Sequence, residues 1–304
     1  MKVTNKLGLP QPFVSACERE YEYRDKRYSA TAILKGVREA ILQRRHDDEI
    51  ECDVADMAWA VFGTAVHSIL EQAQETDTQI KENKLEVEMP NGYTLSGIFD
   101  LYDDETGTVT DYKTASVWKV KFGCWDNWEP KPGEFGDWRM QTLIYCWMLR
   151  QIGFDARRGQ IVALLKDHSK TKAAIGEHPP LPIYQIGWDF SEADFTAAEE
   201  YLVGKFGQIE EAEKLPDDEL PMCTEEERWT RGEAYAVMKD GTKRAKKLFK
   251  TENYRDAAMA AQTYAEGMGK SYHVEHRPGR DGKCLDYCSA APFCSHYQRI
   301  AKEE

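Results

Sequence analysis

Long apolar runs are missing from this chain. None of its 304 residues falls in an unbroken apolar stretch of the roughly 18 to 20 residues that would span a bilayer. The opening segment MKVTNKLGLPQPF has no continuous apolar region of the secretory kind. Together these absences argue against a membrane partner and predict a cytoplasmic protein. Positive charge is also scarce: 40 Lys and Arg stand against 53 Asp and Glu, a formal net charge of -13. A partner held through its phosphates needs local positive charge, so the deficit counts at first against nucleic acid. The distribution weakens that objection. Acid is concentrated in HDDEIECDVAD and EEAEKLPDDELPMCTEEE, while bases gather in RDKR, ARR, KDHSKTK and KDGTKRAKK. A charge run is ordinarily only a solvated face, so charge leaves the partner open. No internal repeat or low-complexity tract is present.

Apolar residues, at 41%, and aromatics, at 11%, are enough for a real core, and the length exceeds the usual single domain. Residues 1–28 are polar and mixed and read as an arm, residues 29–214 as the main domain and residues 215–304 as an appended region. ATAILKGVREAILQRR and the segment Met57 to Gln74 carry apolar residues at helical spacing. KLEVEMP, YTLSGIFDLYD and GTVTDYKTA alternate and are separated by turn signals, which predicts an antiparallel meander. A Gly, Pro and Trp-rich loop then leads to a helix (WRMQTLIYCWMLRQIG), two strands (RRGQIVALLKDH and PIYQIGWDF) and a charged helix from Glu192 to about Lys214. The expected fold is α/β, a mixed central sheet flanked by helices.

Asp100 and Asp111 are candidates for a shared site. If GIFD and DYK lie on adjacent strands joined by the DDETG turn, the two carboxylates converge and offer hard oxygen ligands suited to Mg²⁺ or Mn²⁺. Alternation sets Asp111 and Lys113 on one strand face, where the lysine can orient water or stabilise negative charge growing on a phosphate. A lone Asp-x-Lys is more often a surface strand pair, and His67 in GTAVH taken alone is more often a satisfied helix histidine. Gln141 and Tyr145, at i and i+4, share a helical face. Alone, that pair is merely a helix face.

In combination and in order, GTAVH, GIFD, DYK and QTLIY span residues 63 to 145 and resemble the PD-(D/E)XK nuclease superfamily, in particular its RecB-like branch. That branch includes RecB and AddB nuclease domains, four-cysteine CRISPR adaptation nucleases and many phage exonucleases. The resemblance implies a restriction-endonuclease-like core in which His67, Asp100, Asp111 and the main-chain carbonyl of Tyr112 hold a divalent ion. Lys113 would position the attacking water, Gln141 and Tyr145 would contact DNA or brace the site, and Glu71 would assist.

Eight cysteines without a secretion signal argue for thiols that are reduced or metal-bound. Cys284, Cys288 and Cys294 are too closely spaced for ordinary core residues and point to a metal or cluster, with Cys223 as preferred fourth ligand and Cys17 or Cys52 as alternatives. Cys124 and Cys146, in aromatic segments, read as core. Four thiolates suit a [4Fe-4S] cluster or structural Zn²⁺, and the resemblance favours iron-sulfur, although its fourth cysteine precedes the GTAVH motif, where this chain has Gly36 and Arg38. For zinc, His273, His276 and His296 are further candidates. The appended region would then be a C-terminal cysteine-bound cap. The function implied is a metal-dependent DNA exonuclease of phage-type replication or recombination, working in the host cytoplasm beside an annealing or other recombination protein. Its rivals are a CRISPR-type nuclease trimming DNA ends, a non-catalytic DNA-binding protein that keeps the fold, and a structural metal module.

Overall fold

The structure is a computed structural model that describes residues 1–18 and 23–302. It divides into two compact units, Met1–Leu215 and Pro216–Glu304. Among the described residues no helix is long and apolar enough to cross a membrane.

The first unit opens with β1 (Lys2–Thr4), α1 (Gln11–Cys17), β2 (Arg27–Ser29), α2 (Ala30–Ile33), α3 (Val37–Arg45), β3 (Glu51–Asp53) and α4 (Ala58–Glu71). Residues of the segment read as an arm are thus built into structure: β1 pairs in parallel with β3, and β2 with a strand of the main unit. The single helix expected over ATAILKGVREAILQRR is two. Gly36 adopts an extended backbone (φ -59°, ψ 143°) as the N-cap of α3, consistent with the low helix propensity of glycine. α4 falls where the helical periodicity placed it.

Next come β4 (Gln79–Lys81), β5 (Lys84–Glu88), β6 (Thr94–Ile98), β7 (Leu101–Asp103) and β8 (Thr108–Ala115). The meander expected here is divided between two sheets: β5 and β6 join β2 in one sheet, and β7 and β8 lie in a five-stranded sheet of order β10-β9-β8-β7-β4. The reason is visible in the burial pattern. Phe99 and Tyr102 are both fully buried although three residues apart, so strand alternation slips at Phe99 and Asp100 and the chain changes sheets there. The DDETG turn closes β7 onto β8, with Asp103 Oδ1 accepting from the N–H groups of Glu105 and Thr106 at 3.1 and 3.3 Å. Gly107 has a positive φ of 65°, and an added Cβ there would lie 2.5 Å from the carbonyl of Asp155.

The rest of the unit is α5 (Val117–Gly123), α6 (Gly136–Gln151), β9 (Arg158–Leu165), α7 (Lys170–Ala174), β10 (Ile183–Asp189) and α8 (Glu192–Ala212). α5, capped by Ser116, was not legible in the sequence. β8 and β9 are parallel while the other pairings of this sheet are antiparallel, so the sheet is mixed, as expected. α6 packs on β8, β9 and β5, and an unbroken run from Gln141 to Leu149 is buried. An all-round buried helix of this kind holds the two sheets to one core.

The second unit contains α9 (Glu225–Arg228), β11 (Thr230–Arg231), β12 (Ala234–Lys239), β13 (Lys247–Lys250), α10 (Ala257–Met268), β14 (Tyr272–Arg277), β15 (Arg280–Asp281), α11 (Gly282–Asp286) and α12 (Ser295–Ile300). β13, β12 and β14 form an antiparallel sheet, covered by α10 through Ala257, Ala261 and Ala265 against Val237 and Phe249.

Candidate active site

Asp100 stands where β6 hands over to β7. The β7–β8 register pairs Leu101 with Thr110, and one step further the same register sets Asp100 opposite Asp111. β7 has ended there, so the Tyr112 N–H lacks a main-chain acceptor on that side and donates to Asp100 Oδ2 at 2.6 Å. The N–H and C=O of a strand residue leave by the same edge, which turns the Tyr112 carbonyl towards Asp100 as well. His67, on α4, places Nδ1 3.2 Å from Asp100 Oδ1. α4 reaches β8 closely because Gly63 lies against Thr114, 3.3 Å from where a Cβ would be.

Asp111 and Lys113 share a strand face, with Lys113 Nζ 2.8 Å from Asp111 Oδ2. Gln141 ties both together: its Nε2 donates to Asp111 Oδ1 at 2.8 Å, and its Oε1 accepts from Lys113 Nζ at 2.9 Å. Tyr145, one turn on, is buried against Gly97, whose added Cβ would lie 2.7 Å from the ring. The GIFD glycine is therefore needed for the approach of the QTLIY tyrosine. Burial holds the Tyr145 hydroxyl well above the usual tyrosine range.

The electrostatics are those of too many carboxylates in too little water. Burial pushes Asp111 up, reinforced by Asp100 and opposed by Lys113. The hydrogen bond to Asp100 raises His67, against its own burial. Asp111 Oδ2 is buried and has the Lys113 ammonium, at 2.8 Å, as its partner. A buried carboxylate beside a second carboxylate and an imidazole fits a hard divalent cation, which would relieve both burial and repulsion.

Glu82 belongs to this group and escaped the sequence reading. It follows β4 with a left-handed backbone (φ 46°), and its N–H donates to the Asp100 carbonyl at 3.3 Å. One ligand atom each from His67, Glu82 and Asp100 lie within 4.8 Å of one another. Burial raises Glu82, with further upward pushes from Asp100 and Glu71. Glu71 itself is exposed on the last turn of α4 and stands outside that cluster. Beside Gly97 and Tyr145 opens a cleft of about 440 Å³ lined in part by Arg24, Arg27 and Lys84. Arg27 and Lys84 share the Glu86 carboxylate at 2.7 Å each, which still leaves an excess of positive charge there in this acidic chain.

A second constellation lies in the other unit. Cys223 precedes α9, Cys284 lies on α11, and Cys294 caps α12. Burial pushes the Cys284 thiol up to about 12, and Asp281, Cys288, Cys223 and Cys294 each add to the rise. The Cys284 thiol is thereby poorly ionised by itself and suits a cation that stabilises a thiolate. His296 is also there, within the Asp281, Cys284 and His296 group. His273 and His276 are occupied elsewhere, with Asp240 at 2.8 Å and Glu233 at 2.6 Å. Cys17 and Cys52 belong to the first unit, where both pack with Val54 and Met57. Cys124 and Cys146 are buried, their sulfurs 3.1 Å from the Tyr184 hydroxyl and 3.4 Å from the Arg158 carbonyl.

The fold is that of a nuclease class. The family model of the PD-(D/E)XK nuclease superfamily matches residues 32–295, and the chain belongs to that superfamily. Its mixed α/β architecture is consistent with the restriction-endonuclease-like core of the class, whose members generally use divalent metals. No curated protein matches the sequence. Among solved structures the chain is similar to SSO0001, with 14% identity, TM-score 0.45, and coverage of 64% of this chain and 83% of that one. It is also similar to a phage related exonuclease from Haemophilus somnus 129PT, with 11% identity, TM-score 0.30, and 59% and 74% coverage. A third is LHK-Exo in complex with dAMP, with 13% identity, TM-score 0.36, and 62% and 90% coverage.

Proposed function

We propose that this nuclease is a deoxyribonuclease dependent on Mg²⁺ or Mn²⁺ and that it acts as an exonuclease. The observation that carries the reading is the closed network Asp111–Gln141–Lys113 set opposite Asp100 and His67. His67, Asp100, Asp111 and the Tyr112 carbonyl, with Glu82 beside them, would hold the cation. A divalent ion supplies Lewis-acid polarisation of a phosphodiester and lowers the pKa of water. Lys113 carries its ammonium next to that chemistry, aimed by Gln141, and stabilises negative charge that grows on the phosphate. Gln141 keeps the Lys113 amine and the Asp111 carboxylate in one geometry, and Tyr145 braces Gln141 from behind. Arg24, Arg27 and Lys84 in the adjoining cleft offer charge to the phosphates of the strand.

The experiment separates the two jobs on β8. Asp111→Ala should lose both Mn²⁺ binding and cleavage, because a hard ion loses one of few charged ligands. Lys113→Ala should bind Mn²⁺ nearly as wild type yet cut about two to four orders of magnitude more slowly. Calorimetric Mn²⁺ titration and single-turnover cleavage of end-labelled linear and circular DNA read both effects, and cleavage of linear DNA alone marks an exonuclease. Wild-type cleavage by either variant rejects the assignment.

For the second unit we propose a four-thiolate site of Cys223, Cys284, Cys288 and Cys294, holding a [4Fe-4S] cluster. The influence of the other three thiols on Cys284 supports it. Zn²⁺ is the competing occupant, favoured by His296 beside Cys284.

A further inference from the structure

We propose that α4 and α5 form a stacking track for single-stranded DNA leading away from the site, so that the substrate of the proposed nuclease is a strand with unpaired bases. This deepens the nuclease reading and rests on it. α4 carries the sequence AWAVFGTAVHSILE, yet none of its residues is buried. An apolar helix ordinarily buries its stripe, and this one leaves Trp59 59% exposed, with Phe62 and Ile69 also exposed. Trp59 and Phe62 meet edge to face, ring centres 6.2 Å apart.

α5 repeats the pattern. Trp118 and Phe122, at i and i+4, are 57% and 68% exposed and stack on each other at 5.5 Å. Trp125 follows, also exposed. Each exposed indole carries a lysine: Lys166 Nζ lies 4.1 Å from the Trp59 ring centre, Lys121 5.3 Å from Trp118 and Lys131 5.5 Å from Trp125. None of these three ammonium groups enters an ion pair among the described residues. The two stretches meet at the end of β8, where the Lys166 N–H donates to the Ala115 carbonyl at 3.0 Å. Ala115 is two residues beyond Lys113, and His67 lies two turns along α4 from Trp59, so the track starts at the site.

Charge and shape commit this face to one occupant. Lys121 and Lys131 donate only to main-chain carbonyls, of Glu177 at 3.4 Å and Phe122 at 2.9 Å, so an apolar protein surface laid on this face would have to bury three ammonium groups with no counter-charge. A duplex hides the faces of its bases in its own stack. A single strand offers base faces to the rings and phosphates to the lysines.

The test uses the full chain in EDTA, where nothing is cut, with oligothymidylate and a blunt duplex of the same length as probes. Fluorescence anisotropy reads affinity and tryptophan emission reads contact. Oligothymidylate should bind about tenfold or more tighter than the duplex and quench the emission. Trp59→Ala and Trp118→Ala should each weaken it by about tenfold, the loss of one stack, while Trp118→Phe retains most of the affinity. An unchanged melting curve shows that the variants fold. Equal affinity for both probes, or alanine variants that bind oligothymidylate as wild type does, overturns the track. Should wild type with Mn²⁺ still cut DNA in that case, the nuclease reading stands and only the track falls. If oligothymidylate binds as expected but no DNA is ever cut, the nuclease reading falls and the track remains as a binding surface.

Discussion

Asp111 and Glu82 are the two residues whose environments say most about the site. Asp111 is buried in a strand where hydrophobic residues would be cheaper, and its charge is tolerated only through Lys113 and Gln141. Glu82 is held beside Asp100 and His67 by a left-handed turn that a non-glycine residue adopts at some cost. A strained acidic residue facing another acid is poorly explained by stability alone. Glu82→Gln, which keeps the size and removes the charge, should weaken Mn²⁺ about tenfold and slow cleavage at low metal, with recovery as the metal is raised. A titration curve superimposable on wild type would remove Glu82 from the site. No reading of KENK could have found it, because its reach depends on that turn and on the Asp100 carbonyl it binds. His67, Asp100, Asp111, Lys113 and Gln141 were nameable from motif order, and each lies within hydrogen-bond or ion-pair distance of another member of the set.

Among the elements, α8 was the most legible, and its start carries a testable pH dependence. Ser191 and Asp194 form a reciprocal capping box, and Asp194 also pairs with Arg139 of α6. The Ser191 hydrogen bonds, side-chain then backbone, with Arg139 behind them, hold Asp194 down to about 2. A folded pKa below the unfolded value of about 3.9 means the stabilisation is complete above that value and lost as pH falls through the folded one. Asp194→Ala should therefore cost about 1 kcal/mol at neutral pH, read from urea midpoints. The gap to wild type should close as pH is lowered from about 4 towards about 2. A gap that is constant over this range would mean that the cap does not act through its charge. By contrast, the β5–β8 meander misled, because alternation within each strand is local while the change of sheet at Phe99 and Asp100 is set by what packs against Phe99 and Tyr102.

At the scale of the molecule, the proposed four-cysteine site predicts how the Pro216–Glu304 unit is held. Its sheet and α10 supply a small alanine-rich core, and a metal site would add folding energy directly. Chain purified without oxygen should be brown and contain iron and sulfide. A colourless protein with tightly bound zinc rejects the cluster and keeps the four ligands. Cys223→Ser should release the metal and lower the melting temperature, and retention of full metal content would exclude Cys223 as a ligand.

The sequence by itself determined the class: short motifs in fixed order imply the superfamily because metal-assisted phosphodiester chemistry needs those residue types, and periodicity located α4, α6, β8, β9 and α8. Only the tertiary structure decided what lies beside what. It split one meander between two sheets and thereby set Asp100 opposite Asp111. It turned Glu82 into the site and brought His296 beside Asp281 and Cys284. It also left Trp59, Phe62 and Ile69 of α4 exposed. Motifs record local chemistry, whereas register, sheet change and exposure depend on packing between residues far apart in the chain, which no window along the sequence contains.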